Sequence, residues 1–461
     1  MGHDTSLDLL TRAFDRFSKW MSQYAKPTVE SLDGDEIQVR AAEVLTSLAE
    51  RLEGNYPFHS GLYAGQMLKP PHDVAWAAYA LTMLINPNNH ALDGGPPTSQ
   101  MEKELIPEIA GMFGYKHGIL GHLTSSGTIA NLEALWVARK INPTKAVGFS
   151  SQAHYTHARM CEVLGIRSFV IPTDADGNWD VDFLEQNASE IGTVVVTMGT
   201  TGMGRVEPLH TILPLCKEMG IRVHLDAAYG GYFSLIAQSG EIDARAWSLT
   251  SEADSIVVDP HKHGLQPYGC GCVLFRDPKV GLFYKHDSPY TYFSSDELHL
   301  GEISLECSRA GAAAAALWAT LKVFDLGAGG RMEAVLRDCR NAALTFAREV
   351  VAANNYILIE QPELDIVVYC PLVRDESGIR SSEISRKSSE IFHAGMNGDR
   401  NNALFVSLYQ IDPVQLKSVL PDLIQDQEKI TVLRSVFMKP HHKMMTTEIV
   451  RRLNDLYRQT D

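Results

Sequence analysis

"DSIVVDPHKHGLQPYGCGCVLF", residues 254–275, opens as a strand made for a protein interior and then presents His261, Lys262 and His263 in succession. A lysine is usually a solvated loop residue, and that reading comes first. Its position argues otherwise: in open α/β sheets the residues just beyond each apolar strand form the ligand-binding edge. A lysine fixed there, with its charge poorly solvated, loses pKa and becomes an amine nucleophile.

Outward from this stretch the same pattern recurs. "AVGFS" (146–150), "SFVIP" (168–172), "TVVVTMG" (193–199), "RVHLDAAY" (222–229), "SIVVD" (255–259) and "CVLFRD" (272–277) are short apolar runs separated by helical stretches. Runs this continuously apolar predict strands covered on both faces, hence an α/β fold with a mostly parallel central sheet and helical crossovers. The spacing divides the chain into an N-terminal helical segment (1–80), a large α/β domain (81–330) and a small C-terminal α+β domain (331–461). Ser99 is placed to cap a helix over 101–112, and "SRAGAAAAALWATLKVFDLGAGG" (308–330) reads as a helix with a glycine-rich stop.

Composition excludes several classes. The 461 residues carry a formal net charge of -15, against the clustered basic surface that nucleic-acid binding needs. There is no apolar run long enough for a transmembrane helix, and the N-terminus predicts an amphipathic helix (Leu7, Leu10, Phe14, Phe17, Met21 on one face) rather than a signal peptide. "MGHDTS" is too short a match to carry N-myristoylation. Seven cysteines, an odd number, read as reduced thiols of a cytoplasmic protein. Cys270 and Cys272 have no second pair at ligand spacing, so no metal site is expected.

Chemistry gathers at the strand ends. Asp226 follows one apolar run, and such a carboxylate is costly to bury without a partner. "GHLTSSGTIANLEALWVARK" (121–140) sets Ser125, Ser126, Gly127 and Thr128 at a helix N-terminus, a natural phosphate site. An ordinary capped helix is the bland alternative. His154, in "SSQAHYTHARM" (150–160), follows another strand. Together these are the needs of pyridoxal phosphate: a lysine for the Schiff base, an anion cradle, a group over the ring and a carboxylate for the pyridine nitrogen.

With "DPHK", "PYGCG" and "HLDAAYGG" (224–231) on the page, the chain resembles fold-type-I pyridoxal-phosphate enzymes of the group II amino-acid decarboxylase family, from about residue 55 onward. The resemblance implies that Lys262 carries the cofactor, Asp226 pairs with the pyridinium nitrogen, His154 stacks on the ring and Ala228 packs on its other side. It also implies Ser125, Ser126 and His261 as phosphate contacts and Thr200 near the ring. Arg434, in "KITVLRSVFMKPHH" (429–442), matches the arginine that receives the substrate α-carboxylate, a task suited to a guanidinium. A loop tyrosine protonates Cα in aromatic decarboxylases; Tyr292 first and Tyr290 second are eligible in "FYKHDSPYTYFSSDELHLG" (283–301).

Relatives build their sites between two protomers, so a homodimer with shared active sites is expected. Tyr63, Gln66 and His90 are the expected substrate contacts. The likeness to microbial tyrosine decarboxylases makes an aromatic L-amino acid the leading substrate. An acidic amino acid would need an added cation, for which Lys69, His72 and His90 are available. A carbon-carbon lyase similar to sphingosine-phosphate lyase, or a non-catalytic binding relative, are the readings from other classes. His263 is left open between a structural role and a substrate contact.

Overall fold

The run at 255–258 folds as a completely buried strand, and it lies near the middle of the sheet that organises the molecule. In this computed structural model the described residues are 3–24, 34–92, 94–116, 118–284, 304–374, 378–399 and 402–460. Four helices come first: α1 (His3–Met21), α2 (Asp35–Leu52), α3 (Asp73–Met83) and α4 (Pro96–Met112). The large sheet follows, with β1 (Leu120–Thr124), α5 (Gly127–Ile141), β2 (Ala146–Ser150), α6 (Thr156–Leu164), β3 (Ser168–Ile171), α7 (Val181–Gln186), β4 (Ile191–Thr197), α8 (Leu209–Glu218), β5 (Arg222–Asp226), α9 (Ser234–Gln238), β6 (Ser255–Val258) and β7 (Gly271–Phe275).

The strand order is β1-β7-β6-β5-β4-β2-β3 among the described residues. Strands β3, β2, β4, β5 and β6 run parallel, β7 runs antiparallel to them, and the edge strand β1, antiparallel to β7, returns to their direction. The apolar runs form strands because helices cover both faces: Val194, Val196, Leu225 and Ile256 pack into one core with α4 and α8, and Val257 and Val273 pack into another with α5.

The expected α/β class with a mostly parallel sheet is therefore the observed one, with one strand added. β1 lies inside what reads as a polar turn, and it pairs antiparallel with β7, Gly121 opposite Leu274. Its His122 is buried and contacts Glu133 of α5 at 2.7 Å, which makes a polar-looking segment compatible with an interior position.

Two helix boundaries differ from the sequence reading. α4 begins at Pro96, five residues before the expected start, because prolines suit the first helical turn; Ser99 is buried within it instead of capping it. The alanine-rich helix α10 is confined to Gly311–Val323, and Phe324 closes it by donating to Thr320 O.

After α10 come α11 (Arg331–Ala352), β8 (Tyr356–Leu358), β9 (Ile366–Pro371), β10 (Ile379–Arg380), α12 (Ser381–Met396), β11 (Ser407–Ile411), α13 (Pro413–Lys417), β12 (Leu423–Ile424), β13 (Ile430–Val436) and α14 (Thr446–Gln459). Strands β11-β13-β9-β8 make an antiparallel sheet, with α11, α12 and α14 packed on one face around Phe346, Tyr369 and Phe437.

Candidate active site

The parallel register sets Thr197, Asp226 and Val257 side by side at the carboxyl ends of β4, β5 and β6. The helix starts that follow β1 and β2 reach the same edge. Between them lies a cavity of about 210 Å³ lined by Ser126, His154, Asp226, Ala228, His261 and Lys262 among others. Six residues singled out in the sequence thus meet in one place, from four separate chain segments.

Asp226 is one of two buried carboxylates that line the cavity, with Asp259. Its Oδ1 accepts from Ala228 N at 3.2 Å, and its Oδ2 meets His157 Nε2 at 2.8 Å. Burial alone would raise its pKa, but the His157 hydrogen bond and the neighbouring His157 and Lys262 charges outweigh burial and hold the carboxyl below the usual range. Asp226 and Ala228 are two residues apart, and both line the cavity.

Lys262 Nζ lies 3.0 Å from Asp259 Oδ2, and the side chain is partly open to the cavity. Asp259 approaches the start of α5 so closely that a Cβ at Gly127 would sit 2.4 Å from its Oδ2, which explains the glycine there. Ser126 caps α5, accepting from Ile129 N at 3.3 Å. The helix N-terminus, where Gly127 and Thr128 line the cavity, makes the end suited to an anion.

His154 pairs through Nδ1 with the Thr156 hydroxyl at 2.7 Å. Burial lowers its pKa, with Asp226 opposing. His261 Nδ1 donates to Cys270 O at 2.7 Å, and burial lowers its pKa as well.

Other expected residues are placed apart. Ser125 is exposed, and its N–H donates to Glu306 Oε2 at 2.7 Å. Thr200 is buried just behind the wall, its hydroxyl accepting from Arg205 N, and its neighbours Gly199 and Thr201 line the cavity. Arg434 is buried in β13 and donates to Thr201 O at 2.6 Å and Gly202 O at 2.9 Å, one residue removed from the lining.

Tyr63, Gln66 and His90 lie outside this cavity. Tyr63 packs against Phe58 and Phe405, Gln66 is exposed, and His90 is folded against Gly94. Tyr290 and Tyr292 lie outside the described residues. Lys69 Nζ is buried near Cys339 and Asp365, and burial lowers its pKa; His72 caps α3 by accepting from Val74 N.

The structure adds one residue that sequence reasoning missed and places another that it left open. His157 binds Asp226, and only its position one helical turn after His154 hints at it. His263 is fully buried, its Nε2 2.8 Å from Asp365 Oδ2 and its Nδ1 donating to Tyr229 O at 3.2 Å. Tyr229 OH donates to Asp365 Oδ1, so His263 is structural. Behind the lining residues Gly199 and Tyr229 the packing is backbone against backbone: a Cβ at Gly230 would meet Met198 O at 1.8 Å, and Gly199 has φ +111°.

The residues fit pyridoxal phosphate. A lysine amine, a buried carboxylate held in its ionised form, a helix N-terminus and a flat imidazole open on one cavity. The pyridoxal-dependent decarboxylase conserved domain matches residues 67–370, and the chain belongs to that family. It is 26% identical to an L-tyrosine decarboxylase of Enterococcus faecium, over 94% of this chain and 92% of the relative. It is 30% identical to a probable L-aspartate decarboxylase of Pyrococcus abyssi, over 71% of this chain and 84% of that one. The fold matches Oryza sativa TDC crystallised with PLP and tryptamine, with TM-score 0.76 at 17% identity, covering 99% of this chain and 98% of that one. The protein is a pyridoxal-phosphate-dependent amino-acid decarboxylase.

Proposed function

We propose that the substrate is an aromatic, tyrosine-like L-amino acid, released as its amine and carbon dioxide. The observation that carries this reading is the commitment of the nearby cations. Lys69 is buried near Asp365, His72 caps a helix and His90 folds against Gly94, so none of the three lines the cavity as the cation for an acidic side chain would. The Enterococcus relative, matched along most of its length, supports the same choice. The matched Pyrococcus relative keeps an acidic amino acid as the second reading.

In the proposed division of labour, Lys262 holds the cofactor and Asp226 keeps its ring nitrogen protonated, with His154 and Ala228 on its two faces. Ser126, Ser125 and His261 attend the phosphate, Thr200 stands near the ring, and Tyr63, Gln66 and His90 attend the substrate. When bound, the cofactor supplies an electron sink for the carboxylate's departing bond. Arg434 receives the α-carboxylate, and Tyr292, with Tyr290 as second choice, returns a proton to Cα.

The working form proposed is a cytoplasmic homodimer with shared sites, built from units 1–80, 81–330 and 331–461. Its support is α2, exposed along its described length with Ile37, Val44, Leu45, Leu48 and Leu52 facing solvent; Leu45 is 63% exposed. Such a face on an isolated chain marks an interface. The seven free cysteines, six of them buried, suit a reducing compartment. No described helix is long and apolar enough to cross a membrane.

Carbon dioxide release from tyrosine, phenylalanine, tryptophan, aspartate and glutamate tests the substrate. Tyrosine is expected to lead, and faster turnover of aspartate or glutamate overturns the aromatic choice. Purified protein should be yellow, and Lys262→Ala should abolish both the colour and the release.

A further inference from the structure

The carboxylate at the foot of the cavity is held from below by a side chain that lines no part of it. His157 is completely buried on the first turn of α6, its ring 6.0 Å from that of Phe149, and its backbone N–H bonds to His154 O at 3.0 Å. One turn of helix therefore delivers two imidazoles: His154 into the cavity, and His157 to Asp226 Oδ2 at 2.8 Å. We propose that His157 is a positioning residue for the cofactor, donating from Nε2 to fix Asp226 in the ionised form and orientation that a protonated pyridine nitrogen needs. The proposal rests on the reading of Asp226 as the ring-nitrogen partner.

The physical need is specific. A carboxylate this buried would take up a proton unless a donor compensated its lost hydration. One backbone N–H, from Ala228, contacts Oδ1 at a long 3.2 Å. A lysine or arginine in place of His157 would supply a permanent cation and compete with the pyridinium for the carboxylate. An imidazole donates a hydrogen bond from Nε2 without the permanent charge of either. His224, the nearest other imidazole on β5, is turned away toward Asn131 and Ser255 at 2.8 Å each, so it cannot take over. Glu207, buried beyond β4, is the other carboxyl group near His157, and burial pushes its pKa up to about 7.

The test titrates cofactor-free protein with pyridoxal phosphate and reads visible absorbance. His157→Leu should weaken cofactor binding by about tenfold or more, the usual cost of losing a hydrogen bond to a charged group, and dim the band of the protonated form. His157→Gln, which keeps an N–H donor, should recover most of both. With a 1-deaza analogue of the cofactor, which lacks the ring nitrogen, His157→Leu and the parent should bind equally. In the Asp226→Asn background, His157→Leu should add nothing.

Equal loss of binding for the cofactor and its deaza analogue overturns the proposal, because that is what a packing defect produces. Parent-like affinity and colour in both His157 variants overturns it too. If Asp226→Asn alone changes neither affinity nor colour, the reading of Asp226 falls and takes this one with it. Should His157→Leu fail to fold, His157→Ala takes its place in the Asp226→Asn cycle: additive losses overturn, and non-additive losses support.

Discussion

His263 and Asp365 lie 2.8 Å apart, although 102 positions separate them in the chain. The contact ties the residue after Lys262 to the residue that leads into β9, and Tyr229, three residues beyond Asp226, closes the triangle through its hydroxyl. Both strand-end loops of the cofactor site are thus fastened to the antiparallel sheet by one buried carboxylate. Burial alone would raise the Asp365 pKa, but His263 and Tyr229 hold it below the usual range.

Asp365→Ala breaks a fully buried pair while leaving His263 and the Tyr229 hydroxyl without their acceptor. A loss of about 3–5 kcal/mol is expected, measured as a fall in the urea midpoint with the slope unchanged. Cofactor affinity should drop with it, since Lys262 is the neighbouring residue.

Lys439 is buried beneath Tyr63, and burial, with Lys69 adding to it, lowers its pKa to about 7. The folded value lies below the unfolded one. Its contribution to stability is therefore complete above the ordinary lysine range and is lost as pH falls through about 7. Stability relative to Lys439→Met should rise between about pH 7 and pH 10.5, by up to about 1.4 kcal/mol per pH unit. Denaturation midpoints of both proteins across that range check the sign; parallel curves would refute it.

The exposed face of α2 makes a prediction about assembly. Leu45→Glu combined with Leu48→Glu should convert a dimer to monomers in sedimentation velocity while leaving far-ultraviolet dichroism nearly unchanged, because neither side chain is buried within the protomer. Activity should fall with the dimer fraction if sites are shared.

Arg434→Lys keeps the charge and loses the planar fork. With the carbonyls of Thr201 and Gly202 no longer gripped together, KM for the amino acid should rise on the order of tenfold or more, with kcat changed less. Steady-state kinetics would show it, and an unchanged KM would remove Arg434 from substrate recognition.

The apolar runs ending at Asp226 and Asp259 could be read as strands because both faces of a parallel sheet are covered, which leaves no polar alternation to confuse the pattern. Residues one step past those runs could be read as a site for the same reason. β1 could not, because a short edge strand with His122 and Thr124 looks like a turn until Glu133 appears beside it. His157 and Asp365 were hidden differently: each matters through one partner far off in sequence, and local pattern does not say where a loop or helix face will land. Tyr63, Gln66 and His90 lie outside the cavity of this one chain, so their proposed part in substrate binding is carried by the family resemblance and not by local pattern.

The touching backbones at Met198 and Gly230 carry a consequence for how this enzyme can diversify. A backbone contact this close, just behind the cavity wall, offers substitution nothing to trim or enlarge, and even one added carbon collides at 1.8 Å. New substrate preferences have to be acquired at the rim, in segments free to accept insertions and exchanges. The chemistry at the base and the choice of substrate are thereby placed under separate hereditary control.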